Sequence, residues 1–350
     1  MFRLCAVLTL ALIFLQMSCK RGPTEPEFKN PREYVWDATM LAYPNSPSTA
    51  MYSMWGSGPT DVYVSGFSML GGLQGAMYHY DGKQWTSVLI PSPDYNYLWQ
   101  MTGFGAHDVW VAGSQLFPDP KLDSAVALHY DGARWKSMLP SHMGSRGLKS
   151  VWGTSSQNMF FGSKDGRLIH YDGVEWSVDT LYLGLSITAI GGDEAQVFAV
   201  GNTWKGTLDD SVMCFIRNGT QWSLLDMQYL PQHSSYPRFG SYCIYTPAPG
   251  VYYSSGAFGI FRWEADKWVE VYSTLATIIR MGGTGPNNIL AVGWQEGPVI
   301  FHWDGTAWEQ IALPGWLAPS DVALYGVWTN GREAFIVGNN YGVSYVLHGK

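Results

Sequence analysis

Tyr78-His79-Tyr80-Asp81-Gly82-Lys83-Gln84-Trp85 is the stretch that decides the fold, because it returns along the chain. It recurs as Leu128-His129-Tyr130-Asp131-Gly132-Ala133-Arg134-Trp135, again at residues 169–176 and again at residues 301–308. Weaker copies stand at residues 216–222 and 262–268. Asp-Gly supplies the positive-φ positions of a two-residue hairpin turn, so the residues before it and the Trp after it read as antiparallel strands. Repetition at this scale points to stacked or radial units, each too small to bury its own apolar face.

Working upstream, each copy is preceded by a second repeating run. Asp61-Val62-Tyr63-Val64-Ser65-Gly66 is echoed by Asp108-Val109-Trp110-Val111-Ala112-Gly113, and again at residues 196–201, 288–293 and 334–338. These β-branched and aromatic runs, bounded by turn residues, are strands. An earlier strand ends in Trp-Gly or its like, as in Tyr52-Ser53-Met54-Trp55-Gly56 and Ser150-Val151-Trp152-Gly153. The marker Trp falls at 36, 85, 135, 176, 222, 268 and 308, with spacings of 49, 50, 41, 46, 46 and 40 residues. Four strands per unit of this length is the pattern of a β-propeller blade. The expectation is an all-β, seven-bladed β-propeller over residues 34–350, with four antiparallel strands per blade. The last unit stops at Gly349-Lys350, where a Trp-bearing fourth strand is due. Tyr34-Val35-Trp36-Asp37-Ala38-Thr39-Met40 supplies one, so the N-terminal strand is expected to pair in the last blade and close the ring, leaving no open edge there.

With these repeats in view, the chain resembles bacterial secreted and lipid-anchored β-propellers built on Trp-Gly…Asp-Val-x-Val-x-Gly…His-Tyr-Asp-Gly-x-x-Trp units. The resemblance covers about residues 34 to 350 and implies a fold more than an activity. The Asp-Gly-x-x-Trp element is distantly similar to the Asp-box of sialidase-type propellers. It lacks the residue between Asp81 and Gly82 and the Ser/Thr two positions before the Asp, and an Asp-box is a turn, so no sialidase activity is carried over.

The N-terminus reads separately. Arg3, the apolar run from Leu4 to Leu15 and Ser18 before Cys19 have the make-up of a secretory signal, and the run is short for a membrane span. Ser18-Cys19 resembles the lipobox of bacterial lipoproteins, with Gln16 where that family usually has Leu. The resemblance implies lipidation at Cys19, and Lys20 after it fits outer-membrane sorting. Residues 1–19 are thus expected to leave or anchor the chain, residues 20–33 to form a flexible tether, and the domain to sit at the cell surface or outer membrane, or otherwise to be periplasmic or secreted. Cys214 and Cys243 fall in different repeats on non-equivalent strands and are expected to be two separate buried thiols.

The 350 residues are 46% hydrophobic and only 14% charged, which provides a large core and excludes a disordered chain. A net charge of −7 without a Lys/Arg stripe excludes nucleic acid as a natural partner. His79, His129, His170 and His302 hold one position in four units, too far apart around a ring to share a metal ion; they and the Asp residues beside them read as scaffold. No nucleophile motif or cofactor fingerprint appears, so no catalytic residue, cofactor or metal is assigned.

What does not repeat is where function is sought. The connections between strands two and three, and between units, vary in length and emerge on one face. Variable loops on a rigid scaffold are where binding concentrates. Trp204, Trp294 and Trp316, with Asp210 and Glu296, are the candidate ligand-binding residues of this loop face, and Phe67, Tyr97 and Tyr229 share it. Aromatic faces beside acids suit sugar rings and suit a protein partner equally. The expected function is non-catalytic binding or scaffolding at the cell envelope, with a glycan or surface protein as ligand. The rival readings are a glycoside hydrolase or lyase using Asp209 or Asp210 with Glu296, and an envelope lipoprotein docking by its uniform face.

Overall fold

A computed structural model describes residues 28–350, apart from residues 43–44, 70–73, 92–95, 116–123, 141–142, 144–145, 204–209, 230–237, 316–320 and 341. Cys19 and the segment expected to be a signal lie outside the described residues. A single 3-10 turn, Pro31–Glu33, precedes the first strand, and no helix among the described residues is long and apolar enough to cross a membrane.

The first sheet holds β2 (Thr49–Gly58), β3 (Asp61–Ser68), β4 (Gln74–Tyr80) and β5 (Trp85–Ser87) in sequence order. The second holds β6 (Asn96–Gly105), β7 (Asp108–Gln115), β8 (Ser124–Tyr130) and β9 (Trp135–Ser137). The third holds β10 (Leu148–Ser155), β11 (Asn158–Ser163), β12 (Arg167–Tyr171) and β13 (Trp176–Thr180). The fourth holds β14 (Ser186–Gly192), β15 (Val197–Thr203), β16 (Ser211–Asn218) and β17 (Gln221–Tyr229). The fifth holds six strands: β18 (Cys243–Ala248), β19 (Val251–Glu264), β20 (Lys267–Gly285), β21 (Asn288–Trp294), β22 (Pro298–Trp303) and β23 (Trp308–Gln310). The sixth runs β1 (Trp36–Leu41), β26 (Val343–Gly349), β25 (Ala334–Asn340), β24 (Ala323–Thr329).

The expectation of seven blades is therefore corrected: the strands form six sheets, in a six-bladed ring. The reason is local to the fifth and sixth sequence repeats. β19 and β20 run unbroken for 14 and 19 residues, each long enough to pair at both ends. One half of β20 bonds to β19 and the other to β21, so both repeats share one sheet. Around the ring the innermost strand segments touch in a closed cycle, β2, β6, β10, β14, β18, β20, β24 and back to β2.

β1 pairs antiparallel with β26 from Trp36 opposite Gly349 to Leu41 opposite Ser344. The two ends of the described chain therefore share one sheet. Before β1, the Lys29 N–H donates to the Gly331 carbonyl at 3.0 Å, and Arg32 Nη1 lies 3.0 Å from Asp304 Oδ2.

The core lies between neighbouring sheets. Met51, Val64 and Tyr78 pack with Leu41, Phe335, Val337 and Val346 of the last sheet, while Tyr63 and Met77 pack with Leu98, Val111 and Leu128 of the second. The repeated histidines belong to this framework. His79, His129, His170 and His348 stack on Tyr63, Trp110, Phe160 and Phe335, with ring centroids 4.0–4.3 Å apart. Three bond through Nε2 to the residue opening strand two of their own repeat, Asp61, Asp108 and Asn158, as His302 does with Asn288, and His348 bonds to Glu333 just before β25. Cys214 and Cys243 are free and buried.

Candidate functional site: an aromatic collar at the channel mouth

The site begins with a glycine. Gly66, Gly113, Gly201, Gly293 and Gly338 end the Asp-Val-x-Val-x-Gly runs. A Cβ on Gly66 would lie 1.9 Å from the Ala50 carbonyl oxygen, and one on Gly293 1.9 Å from that of Thr277. Only glycine permits this approach. Next to each glycine the innermost strand carries one extra residue. Met51 faces Gly66 and Ser53 faces Ser65, which leaves Tyr52 unpaired in the ladder. The same shift isolates Trp99 in β6, Lys149 in β10, Thr188 in β14, Ile279 in β20 and Tyr325 in β24. Bulges re-aim side chains at barrel rims and beside sites. Here they set one residue on each of six innermost strands at one level around the channel, on the side from which the variable loops emerge.

The result is a collar with an aromatic arc. Tyr52 lies 5.1 Å from Tyr325, 5.1 Å from Trp99 and 5.9 Å from Phe67, centroid to centroid. Trp99 is fixed on all sides: Tyr97 stacks on it at 4.7 Å, the Lys149 ammonium stands 3.1 Å from its centroid, and its Nε1 donates to Ser114 Oγ at 3.0 Å. Its faces are taken, so Trp99 braces the arc. Burial pushes the Tyr52 and Tyr325 phenols well up, with neighbouring phenols adding to the effect, so both remain protonated donors.

Tyr52, Ile279 and Tyr325 open into a cavity of about 680 Å³, completed by Phe67, Thr277, Trp294, Glu296, Asp321, Asn339 and Asn340. Trp294 ends β21 with 44% of its surface exposed. Glu296, two residues on, holds φ at +53°, a left-handed setting that L-residues reach only when held there. Asp321 Oδ2 accepts from Asn340 Nδ2 at 2.8 Å, and Asn339 Nδ2 donates to the Met51 carbonyl at 3.0 Å. The mouth thus offers phenol donors, aromatic faces and two carboxylates within one concave surface.

Of the residues singled out in the sequence, Trp294 and Glu296 line this cavity together with Phe67. Asp210, half-buried just before β16, is not among its lining residues. Trp204, Trp316 and Asp209 lie outside the described residues. Tyr97 braces Trp99, and Tyr229 stands exposed at the end of β17. Tyr52, Trp99, Lys149 and Tyr325 were missed because they sit on the most regular strand. A signal was present: the residue three before the Trp of Trp55-Gly56 changes from Tyr52 to Trp99, Lys149, Thr188, Tyr242, Ile279 and Tyr325 while its surroundings repeat.

No protein-family model and no curated protein sequence matches the chain. Solved structures do. The chain is similar to a YCF48 structure described as bound to D1 peptide, at TM-score 0.59 and 15% identity over 91% of this chain and 97% of that one. YCF48 from Cyanidioschyzon merolae aligns at TM-score 0.56 and 11% identity, over 89% and 98% of the two chains. The extracellular domain of the putative one component system BT4673 from B. thetaiotaomicron aligns at TM-score 0.61 and 13% identity, over 89% of this chain and 39% of that one. At these identities the likeness establishes the propeller fold. Among the described residues no group of three or more His, Cys, Asp or Glu could hold a metal ion.

Proposed function

We propose that this protein is a non-catalytic binding propeller whose loop-face mouth takes an extended segment of a partner protein. The observation that carries this reading is the cavity where the collar residues Tyr52 and Tyr325 meet Trp294, Glu296 and Asp321. Aromatic anchors in a partly desolvated pocket, rimmed by polar groups, are the composition of protein-binding hot spots. A cavity of about 680 Å³ takes a few side chains of a peptide rather than a folded surface. The YCF48 structure bound to D1 peptide supports the reading as an example of this fold holding a peptide. The proposal extends to location: a signal ending at Cys19, lipidated there, would hold the propeller at the bacterial envelope, in keeping with the secreted and lipid-anchored propellers its repeats resemble.

A glycan is the second reading, favoured by one observation. Trp294 is exposed beside the Glu296 carboxylate, a pairing that can stack on a sugar ring and bind its hydroxyls. A random peptide display library and a glycan array, both probed with the native chain, separate the two. Peptides that bind the native chain and lose it with Tyr52→Ala and Trp294→Ala support the protein-segment reading. Glycan binding lost with Trp294→Ala, with no peptide selected, overturns it in favour of the sugar.

A further inference from the structure

We infer that the central channel, on the side of the collar away from the variable loops, holds a small oxyanion on the guanidinium of Arg280. One residue past the six bulges stand Ser53, Gln100, Ser150, Ala189, Arg280 and Gly326, and Cys243 at the start of β18 completes an inner belt. Where this residue is polar and neutral, it stitches its strand to the next. Ser53 Oγ accepts from the Met101 N–H at 3.0 Å, Gln100 Oε1 from the Val151 N–H at 3.2 Å, and Ser150 Oγ donates to the Ile187 carbonyl at 2.9 Å. The Cys243 thiol, raised by burial, bonds to the Met281 backbone and to the side chains of Arg280 and Ser255.

Arg280 breaks this rule. A guanidinium has no acceptor, so it cannot take the next strand's N–H. It lines a cavity of about 370 Å³ that holds no carboxylate and no second cation. Arg280 forms no ion pair among the described residues. A half-buried cation with no carboxylate in its cavity leaves its charge to be met by a mobile anion. The neighbouring polar groups are also short of acceptors. With their oxygens engaged by backbone N–H groups, Gln100 has its amide nitrogen and Ser53 its hydroxyl proton left to donate. These donors line one cavity with no carboxylate in it, and the planar fork of Arg280 matches a carboxylate or a phosphate. The cavity runs from Ser53 to Trp55 and from Arg280 to Gly283, toward the turns between strands one and two. It therefore opens away from the proposed peptide mouth, and its occupancy is independent of that reading.

Equilibrium dialysis of the full native chain tests this, with radiolabelled phosphate in one arm and radiolabelled succinate in the other, at constant ionic strength in chloride. Saturable uptake of one ion per chain is expected, and the arm that saturates at lower concentration identifies phosphate or carboxylate as the source. Arg280→Gln should weaken that binding roughly tenfold or more, and Arg280→Lys severalfold, because lysine keeps the charge and loses the fork. Arg134→Gln, on an exposed turn, should bind as the native chain does. Absence of saturable uptake of both anions by the native chain overturns the inference, as does unchanged affinity in Arg280→Gln. If Arg280→Gln fails to fold by circular dichroism, the native stoichiometry and the Arg280→Lys affinity decide.

Discussion

Tyr52 and Tyr325 meet edge to face, with ring centroids 5.1 Å apart and planes at 90°. One ring belongs to the first sheet and the other to the last, so the mouth of the channel spans the junction between these two sheets. Each ring reaches that junction through a bulge, and each bulge faces a glycine, Gly66 or Gly338. A scaffold motif thereby fixes the position of a residue at the proposed binding mouth.

Tyr52→Ala should remove the centre of the aromatic arc. Affinity for a peptide selected on the native chain is expected to fall on the order of tenfold or more, with the circular dichroism spectrum unchanged. Fluorescence polarisation with the labelled peptide reads this directly. Trp99→Ala, which unseats a brace instead of a contact, should show a smaller loss of affinity and a larger fall in melting temperature.

Gly66→Ala tests whether the glycine sets the bulge. Its Cβ would overlap the Ala50 carbonyl, so β2 and β3 must separate or lose the bulge. Both a lower melting temperature and loss of binding at the mouth are expected from one methyl group far smaller than any contact residue. Gly219→Ala makes the contrast: φ there is +61° and no heavy atom lies within 4 Å of the new Cβ, so a small loss of stability with binding intact is expected.

Closure can be tested at Trp36. The side chain is 4% exposed, packs with Leu290, Ile311 and Leu347, and lies over Gly349 on the partner strand. Trp36→Ala should cost about 3–5 kcal/mol by urea denaturation, the range for truncating a buried Trp. Deleting residues 34–41 should expose the edge of β26 and lower the melting temperature further. Deletion without a fall in melting temperature would contradict a closing role for β1.

Acid sensitivity should arise from buried histidine. Burial, aided by the Arg32 cation, lowers His302 from the ordinary value to about 4, and His170 is lowered as well, chiefly by burial. His302 is held neutral in the fold and gains a proton on unfolding. Between pH 6.5 and 4 the unfolded chain therefore binds more protons, so stability is fullest above about 6.5 and falls as pH drops through that window. Part of that loss should come from His302. Melting temperatures taken from pH 7 to 4 should fall less steeply in His302→Gln than in the native chain.

Much of the fold was legible because turn chemistry and strand chemistry repeat. Asp81, Asp131, Asp172 and Asp304 each accept two backbone N–H groups in their hairpins, and that need keeps Asp-Gly in register along the chain. The number of sheets was not legible. Whether β19 and β20 bend apart or run on as one sheet depends on hydrogen bonds along their whole length, to which the marker spacing is blind. Of the cavity lining, Trp294 and Glu296 could be singled out because they interrupt the pattern. Tyr52 and Tyr325 could not be found that way. A bulge is invisible in a single strand's composition and appears only when its register against the facing glycine is known.

The most direct measurement is hydrogen–deuterium exchange on the native chain with and without a peptide selected from a random display library. Binding at the collar should slow exchange in residues 48–52, 294–298 and 321–325, which converge on the mouth from three separate parts of the chain. Protection confined to the Asp-Gly turns or the outer strands, with those three segments unchanged, would contradict a binding site at the mouth.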